Sequence, residues 1–308
     1  MGVVELTSRI ALKNILFLTD FSEPSEAALP FAVAIARGYR AKVYTLNAFM
    51  PAPYVYTTPE LSAAAIEVEE ENAKVEMRRV EAAFAGLPHE SILERGIGVW
   101  PAVQQAMREH AIDLVVLGTH GRTGAAKLLL GSVAEEIFRR SPVPVLTIGP
   151  GVRNGAHNGG RFRRVLFATD LSVDSATAAP YAVSLAQENQ ARLVLLHVMR
   201  HPETRDREEK DRFELSVAEA IHQMYDSVQK DVELYYPPEV VVEYGNAAER
   251  IVTAARERHA DLIVLGVHDA AGHIGAATHL ERATAHKVVS HAHCPVLTVR
   301  QASQPVML

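Results

Sequence analysis

The chain repeats itself, and this constrains its fold more than any other feature. Lys13-Asn14-Ile15-Leu16-Phe17-Leu18-Thr19-Asp20-Phe21-Ser22 is matched by Arg163-Arg164-Val165-Leu166-Phe167-Ala168-Thr169-Asp170-Leu171-Ser172 at a shift of 150 residues. The same shift carries Pro30 onto Pro180 and Leu46-Asn47 onto Leu196-His197. Further on, Asp113-Leu114-Val115-Val116-Leu117-Gly118-Thr119-His120 is matched by Asp261-Leu262-Ile263-Val264-Leu265-Gly266-Val267-His268. Near the ends, Pro144-Val145-Leu146-Thr147-Ile148 is matched by Pro295-Val296-Leu297-Thr298-Val299. Anchors that keep one order through both halves identify a duplicated domain.

The 308 residues divide accordingly into a first domain at 1–149, a linker at 150–162 and a second domain at 163–308. From Gly149 to Gly160 the chain is dominated by Gly, Asn and Pro with no apolar period, the composition of a flexible linker. Each half is long enough to bury a core of its own. A net charge of −6 with no basic stripe argues against nucleic acid as a partner. Cys294 is the single cysteine, so no intramolecular disulfide can form, which suits a reducing compartment. Residues 1–13 lack the charged start and long apolar run of a signal peptide. Apolar runs such as Leu114 to Leu117 are strand-sized, far short of a membrane span. The expectation is a cytoplasmic protein with neither nucleic acid nor membrane as partner.

Within the first copy, strands and helices alternate. Ile15 to Leu18 is a short apolar run of the kind buried on both faces of a parallel sheet. Ser25 to Tyr39 follows as a helix, with Ala28, Phe31, Ala32, Ile35 and Ala36 on one face and Pro30 bending it or lying in its early turns. Strands at Lys42 to Ala48, Ser91 to Glu94, Leu114 to Leu117 and Val145 to Ile148 are separated by helices at Leu61 to Ala85, Ala102 to His110 and Val133 to Arg139. The pattern predicts an α/β protein of two tandem doubly wound parallel-sheet domains, Rossmann-like and five-stranded each. In such sheets ligands bind beyond the carboxyl ends of the strands, where strand order switches.

The residues at those ends are the candidate site. Thr19-Asp20 follows the first strand; Asp20 can accept from a sugar hydroxyl or hold a metal-bound phosphate, or it can cap the next turn together with Ser22. After the fourth strand comes Leu117-Gly118-Thr119-His120-Gly121-Arg122-Thr123-Gly124, and then Leu130-Gly131-Ser132-Val133 opens a helix. Glycines let backbone approach phosphate closely. A helix start offers free N–H groups and the positive end of the dipole, and Ser132 adds a hydroxyl. Other signals fall away. No Gly-x4-Gly-Lys-Ser/Thr loop occurs, and Gly96-Ile97-Gly98 has Pro101 where a dinucleotide fingerprint needs a third glycine. No zinc-protease helix or nucleophile elbow occurs. The histidines of the second half, His291-Ala292-His293-Cys294 included, read as solvated positions rather than a metal site. Cys294 reads as a small buried apolar residue. His120 reads as a loop-orienting residue rather than an acid–base catalyst, so no catalytic residue is named.

The spacing Gly118-x2-Gly121-x9-Gly131-Ser132, with Thr19-Asp20-Phe21-Ser22 and Pro144-Val145-Leu146, resembles the universal stress protein family, and the resemblance recurs in each half. It implies an ATP-binding stress-response or signalling module with at most slow hydrolysis and a magnesium ion on the phosphates. By resemblance, Asp20 contacts the ribose region with Thr19 beside it in the binding set, the backbone around Ala48 and Leu117 meets the adenine, and Gly118, Gly121, Gly131, Ser132 and Val133 hold the phosphates. It further implies pairing of the two halves through Val145–Ile148 and Val296–Val299, and leaves room for a homodimer and for protein partners. Leu18 and Asn47-Ala48 depart from the family's usual residues at the adenine end. The second copy departs further: Asp269 stands in the place of Gly121, and Arg282-Ala283 in that of Gly131-Ser132. A carboxylate there repels a triphosphate, so ATP is expected in the first domain only. The competing reading is a scaffold that engages protein partners or another small ligand.

Overall fold

The computed structural model describes residues 10–49, 59–95, 98–119, 130–152, 159–200, 207–228, 233–267 and 276–300. The first half runs β1 (Asn14–Leu18), α1 (Glu23–Glu26), α2 (Leu29–Tyr39), β2 (Lys42–Phe49), α3 (Pro59–Glu81), a 3-10 turn at Ala82–Phe84, β3 (His89–Arg95), α4 (Val99–Glu109), β4 (Leu114–Gly118), α5 (Ser132–Arg140) and β5 (Val145–Ile148). The second runs β6 (Arg164–Thr169), α6 (Val173–Ala176), α7 (Ala179–Asn189), β7 (Arg192–Met199), α8 (Arg207–Ser227), β8 (Glu239–Tyr244), α9 (Ala247–Glu257), β9 (Leu262–Val267), α10 (Ala276–His291) and β10 (Val296–Arg300).

The single helix expected over Ser25–Tyr39 is two. Ser22 caps the short α1 with its hydroxyl, and α2 restarts at Leu29 with Pro30 in its first turn, where a missing N–H breaks no helical bond. Pro180 occupies the same place in α7. Both helices end on a left-handed residue, Arg40 and Gln190.

The two expected five-stranded sheets are halves of one ten-stranded sheet, in the order β3-β2-β1-β4-β5-β10-β9-β6-β7-β8. Strands pair in parallel within each half, and β5 meets β10 antiparallel at the centre. Leu146 lies opposite Leu297 there. Two threonines reinforce the seam: Thr147 Oγ1 donates to the Val296 carbonyl at 3.1 Å, and Thr298 Oγ1 to the Val145 carbonyl at 3.3 Å. The halves therefore pair through the strands that the repeat marked.

Side chains alternate across the sheet, as a period of two requires. Leu16, Trp100, Phe138, Leu166, Ile263 and Val289 share one apolar layer, while Phe17, Phe31, Phe84, Phe167 and Leu297 share the other. Each layer draws on both halves, so the cores are continuous through the seam. The expected linker also ends in packed chain. Phe162 is buried and stacks on Phe31, with ring centroids 6.0 Å apart. Gly160 has a left-handed φ of 75°, and a Cβ there would lie 2.2 Å from the Pro30 carbonyl oxygen. An aromatic ring cannot be left in water without cost, and Phe162 resolves this by docking on the first half. Among the described residues, no helix is long and apolar enough to cross a membrane.

Candidate functional site

The site grows from the carboxyl end of β1. Thr19 N donates to the Leu46 carbonyl at 3.1 Å, and the Thr19 carbonyl accepts from Asn47 Nδ2 at 2.8 Å. The Thr19 hydroxyl lies 3.2 Å from Ser25 Oγ and accepts the Phe21 N–H, which holds Phe21 in the left-handed region. Asp20 Oδ1 accepts the backbone N–H and the hydroxyl of Ser22. Ser22, not Asp20, then caps α1, its hydroxyl accepting the Ser25 N–H. Of the two roles open to Asp20, capping of the next turn together with Ser22 is the one seen here. Its carboxylate holds the turn, and Ser22 caps the helix.

At the end of β4, Gly118 is packed against α1. A Cβ there would sit 2.3 Å from the Pro24 carbonyl oxygen. The need for glycine at this point comes from the helix crossing the strand end, which is a different reason from close approach to phosphate. Gly266 repeats the arrangement, 2.5 Å from the Ser175 Cα.

Gly131 is the N-cap of α5, extended at φ −63° and ψ 151°, with its own N–H donated to the Thr119 carbonyl at 2.7 Å. Glu135 N makes the first helical bond, to the Gly131 carbonyl. The N–H groups of Ser132, Val133 and Ala134 precede it and have no acceptor within the helix. Their N-cap residue, Gly131, has no side chain to cap them.

These pieces enclose a cavity of about 210 Å³. Thr19, Asp20, Ala48 and Leu117 line one part of it, and Gly118, Gly131, Ser132 and Val133 the other. The remaining predicted residue, Gly121, lies outside the described residues, as do His120 and Asp269. Val99, Leu46, Thr119 and Ala134 also line it and were not foreseen. Val99 was legible in principle: it opens the helix after β3, and every helix that follows a parallel strand starts on this side of the sheet.

The second half has its own cavity, of about 230 Å³. Thr169, Asp170 and Ser175 repeat the turn, with Ser172 N donating to Asp170 Oδ1 at 2.9 Å. His197 Nδ1 lies 2.8 Å from the Thr169 carbonyl, the same tie that Asn47 makes. The difference is the last helix. Counting back from Pro295 as from Pro144, Ala283 is the counterpart of Ser132, but α10 already begins at Ala276. Seven more residues move the helix start by about 10 Å. Among the described residues that line the second cavity, Thr284 and Ala285 lie mid-helix, and their backbone N–H groups bond within it.

Of the histidines read as solvated, His291 is exposed but His293 is half-buried. His291 is the last residue of α10, and its Nδ1 lies 2.8 Å from the Lys287 carbonyl. Burial of His293 lowers its pKa, with Arg256 and His259 adding to the effect. Cys294 is buried, and desolvation pushes its thiol up to about 12.

Comparison with known proteins agrees with both halves. The family model described as the universal stress protein family matches residues 11–149 and again residues 161–300. A universal stress protein of Methanocaldococcus jannaschii is 31% identical over 140 residues, covering 44% of this chain and 81% of that protein. One of Thermus aquaticus is 33% identical over 138 residues, covering 44% and 98%. A universal stress protein of Mycolicibacterium smegmatis aligns along 302 residues at 25% identity, covering 93% of this chain and 97% of its own. In fold, the chain is similar to a universal stress protein of Archaeoglobus fulgidus, with a TM-score of 0.65 at 22% identity over 94% of this chain and 99% of that one. The duplicated sequence, the shared turn after β1 and β6, and a family match to each half in turn show that this chain belongs to the universal stress protein family, as a tandem of two copies.

Proposed function

We propose that the first half binds ATP and that this chain acts as a nucleotide-responsive stress or signalling module. The observation that carries the reading is the start of α5. Three backbone N–H groups, from Ser132, Val133 and Ala134, have no acceptor within their helix and stand at the wall of a cavity that Asp20 also lines. Such a helix start suits phosphate through its donors and its dipole. The donor set fits a polyphosphate: it is backbone, with the Ser132 hydroxyl added. On this reading the base lies among Ala48, Leu117 and Val99, and the ribose hydroxyls reach Asp20. The phosphates meet Gly118, Gly121, Gly131, Ser132 and Val133, with magnesium neutralising part of their charge.

Asp20 is the one titratable side chain among the described residues that line the cavity, and its Oδ1 accepts from Ser22. This lining favours holding a nucleotide over turning it over. The proposed output is a change in shape or assembly, passed to protein partners or a second copy in the cytoplasm. In the second half α10 begins at Ala276, and the described helix residues at the cavity, Thr284 and Ala285, lie mid-helix, so the reading assigns one ATP per chain.

Calorimetry with magnesium and ATP tests this on the native chain, on Gly131→Glu and on Asp20→Ala. One site per chain, lost in Gly131→Glu and weakened in Asp20→Ala, supports the reading. Two sites contradict the assignment to the first half alone. No binding at millimolar ATP removes it and puts a scaffold role in front.

A further inference from the structure

The second cavity is as large as the first and has not lost its walls. Leu196, Val198, Ala247, Ile251 and Leu265 give it apolar sides. Asp170 stands at the polar end and is the one charged side chain among the described residues that line it. One feature acts against an anion: among the described residues, the backbone N–H groups of α10 beside the cavity are already bonded within the helix. It does not act against an uncharged ligand with hydroxyls, which a carboxylate accepts strongly from. An apolar slot with a few placed polar groups is the usual form of a small-molecule site.

We propose that the C-terminal half binds an uncharged nucleoside, base between the apolar walls and ribose hydroxyls at Asp170, and that it discriminates against the phosphorylated form. The choice of base and ribose rests on the reading of the first cavity as a nucleotide site, because Leu196, Val198, Leu265 and Gly266 stand at the repeat positions of Leu46, Ala48, Leu117 and Gly118. The exclusion of phosphate stands on the geometry of α10 alone. The chain then carries two unlike sensors on one sheet. One reads the charged nucleotide and the other its dephosphorylated core, so their occupancy follows the balance between the two.

The test uses full-length chain carrying Gly131→Glu, which blocks the first cavity, and titrates adenosine and ATP separately by calorimetry. Expected is one adenosine site per chain, with ATP binding at least tenfold weaker. Adding Ala247→Phe, at the partly exposed first position of α9, fills the slot and abolishes adenosine binding. Val198→Phe is the second block, used if the first lowers the unfolding midpoint. ATP binding as tight as adenosine, no adenosine binding, or adenosine binding that survives both blocks overturns the proposal. If the native chain fails to bind ATP while Gly131→Glu retains adenosine binding that Ala247→Phe removes, the first-half reading falls and this one stands.

Discussion

Asn47 Nδ2 donates to the carbonyl oxygen of Thr19 across 2.8 Å, tying the second strand to the turn after the first. His197 makes the corresponding tie to Thr169 in the other half. Two different residue types thus perform one task at the repeat position. Asn47→His is expected to fold with stability near that of the native chain. Asn47→Ala leaves the buried carbonyl without this donor and is expected to cost about 1–3 kcal/mol. Urea unfolding of both variants measures the difference. A histidine variant as unstable as the alanine one would count against equivalence.

Gly118→Ala and Gly266→Ala force a methyl group into backbone of the crossing helix, 2.3 Å from the Pro24 oxygen and 2.5 Å from the Ser175 Cα. Neither contact is with a flexible side chain, so the strand end or the helix must shift. Each substitution is expected to lower stability by about 1–3 kcal/mol, as overpacking does. The midpoint of denaturant unfolding, at unchanged slope, reads the effect.

Phe162→Ala removes a ring that is 1% exposed and stacked on Phe31. The expected cost is about 3–5 kcal/mol, the range for deleting a buried aromatic. Because both apolar layers run through the seam, the native chain is expected to melt in one cooperative step. Calorimetric scans of the two proteins test this, and two separate transitions in the native chain would show that the halves unfold independently.

His293 is held neutral by burial, so its folded pKa lies below the ordinary 6.5. As pH falls from 6.5, the unfolded chain takes up the proton first. Stability is then lost progressively down to the folded value and levels off below it. His293→Gln is expected to flatten this part of the profile, measured as unfolding midpoint between pH 7.5 and about 5.

Cys294 is expected to resist alkylation by iodoacetamide at pH 8 in the folded chain and to react on unfolding, because its thiol is 5% exposed and titrates only at about 12. Intact-mass measurement with and without denaturant checks it.

Much of this architecture was legible because parallel strands leave a strong apolar signal. Leu114, Val145 and Ile148 mark strand ends that the structure keeps, and of the two places open to Pro30, a bend or an early turn, the structure has the early turn, of a separate helix α2. The harder features were those set by contacts between segments far apart in the chain. Nothing local distinguishes Gly118 as a packing glycine from Gly118 as a phosphate glycine; only the path of α1 does. Phe162 looked like linker because it follows a Gly- and Asn-rich stretch ending at Gly159-Gly160, and its partner, Phe31, lies in the other repeat. The substitution at Arg282-Ala283 was visible, but its main consequence was not: the helix starts earlier, which a comparison of residue types cannot show. Asn47 hid its role because amide and imidazole share little except a donor at the right reach.

The antiparallel meeting of β5 and β10 has a consequence for how such a molecule can change. When two identical chains associate about a twofold axis, every substitution is made twice, and both sites improve or fail together. Here the same junction lies inside one chain, so a mutation strikes one side only. The lengthened α10 faces the short α5 across a seam that still matches strand for strand. Covalent linkage therefore lets a substitution alter one site and leave the other as it was.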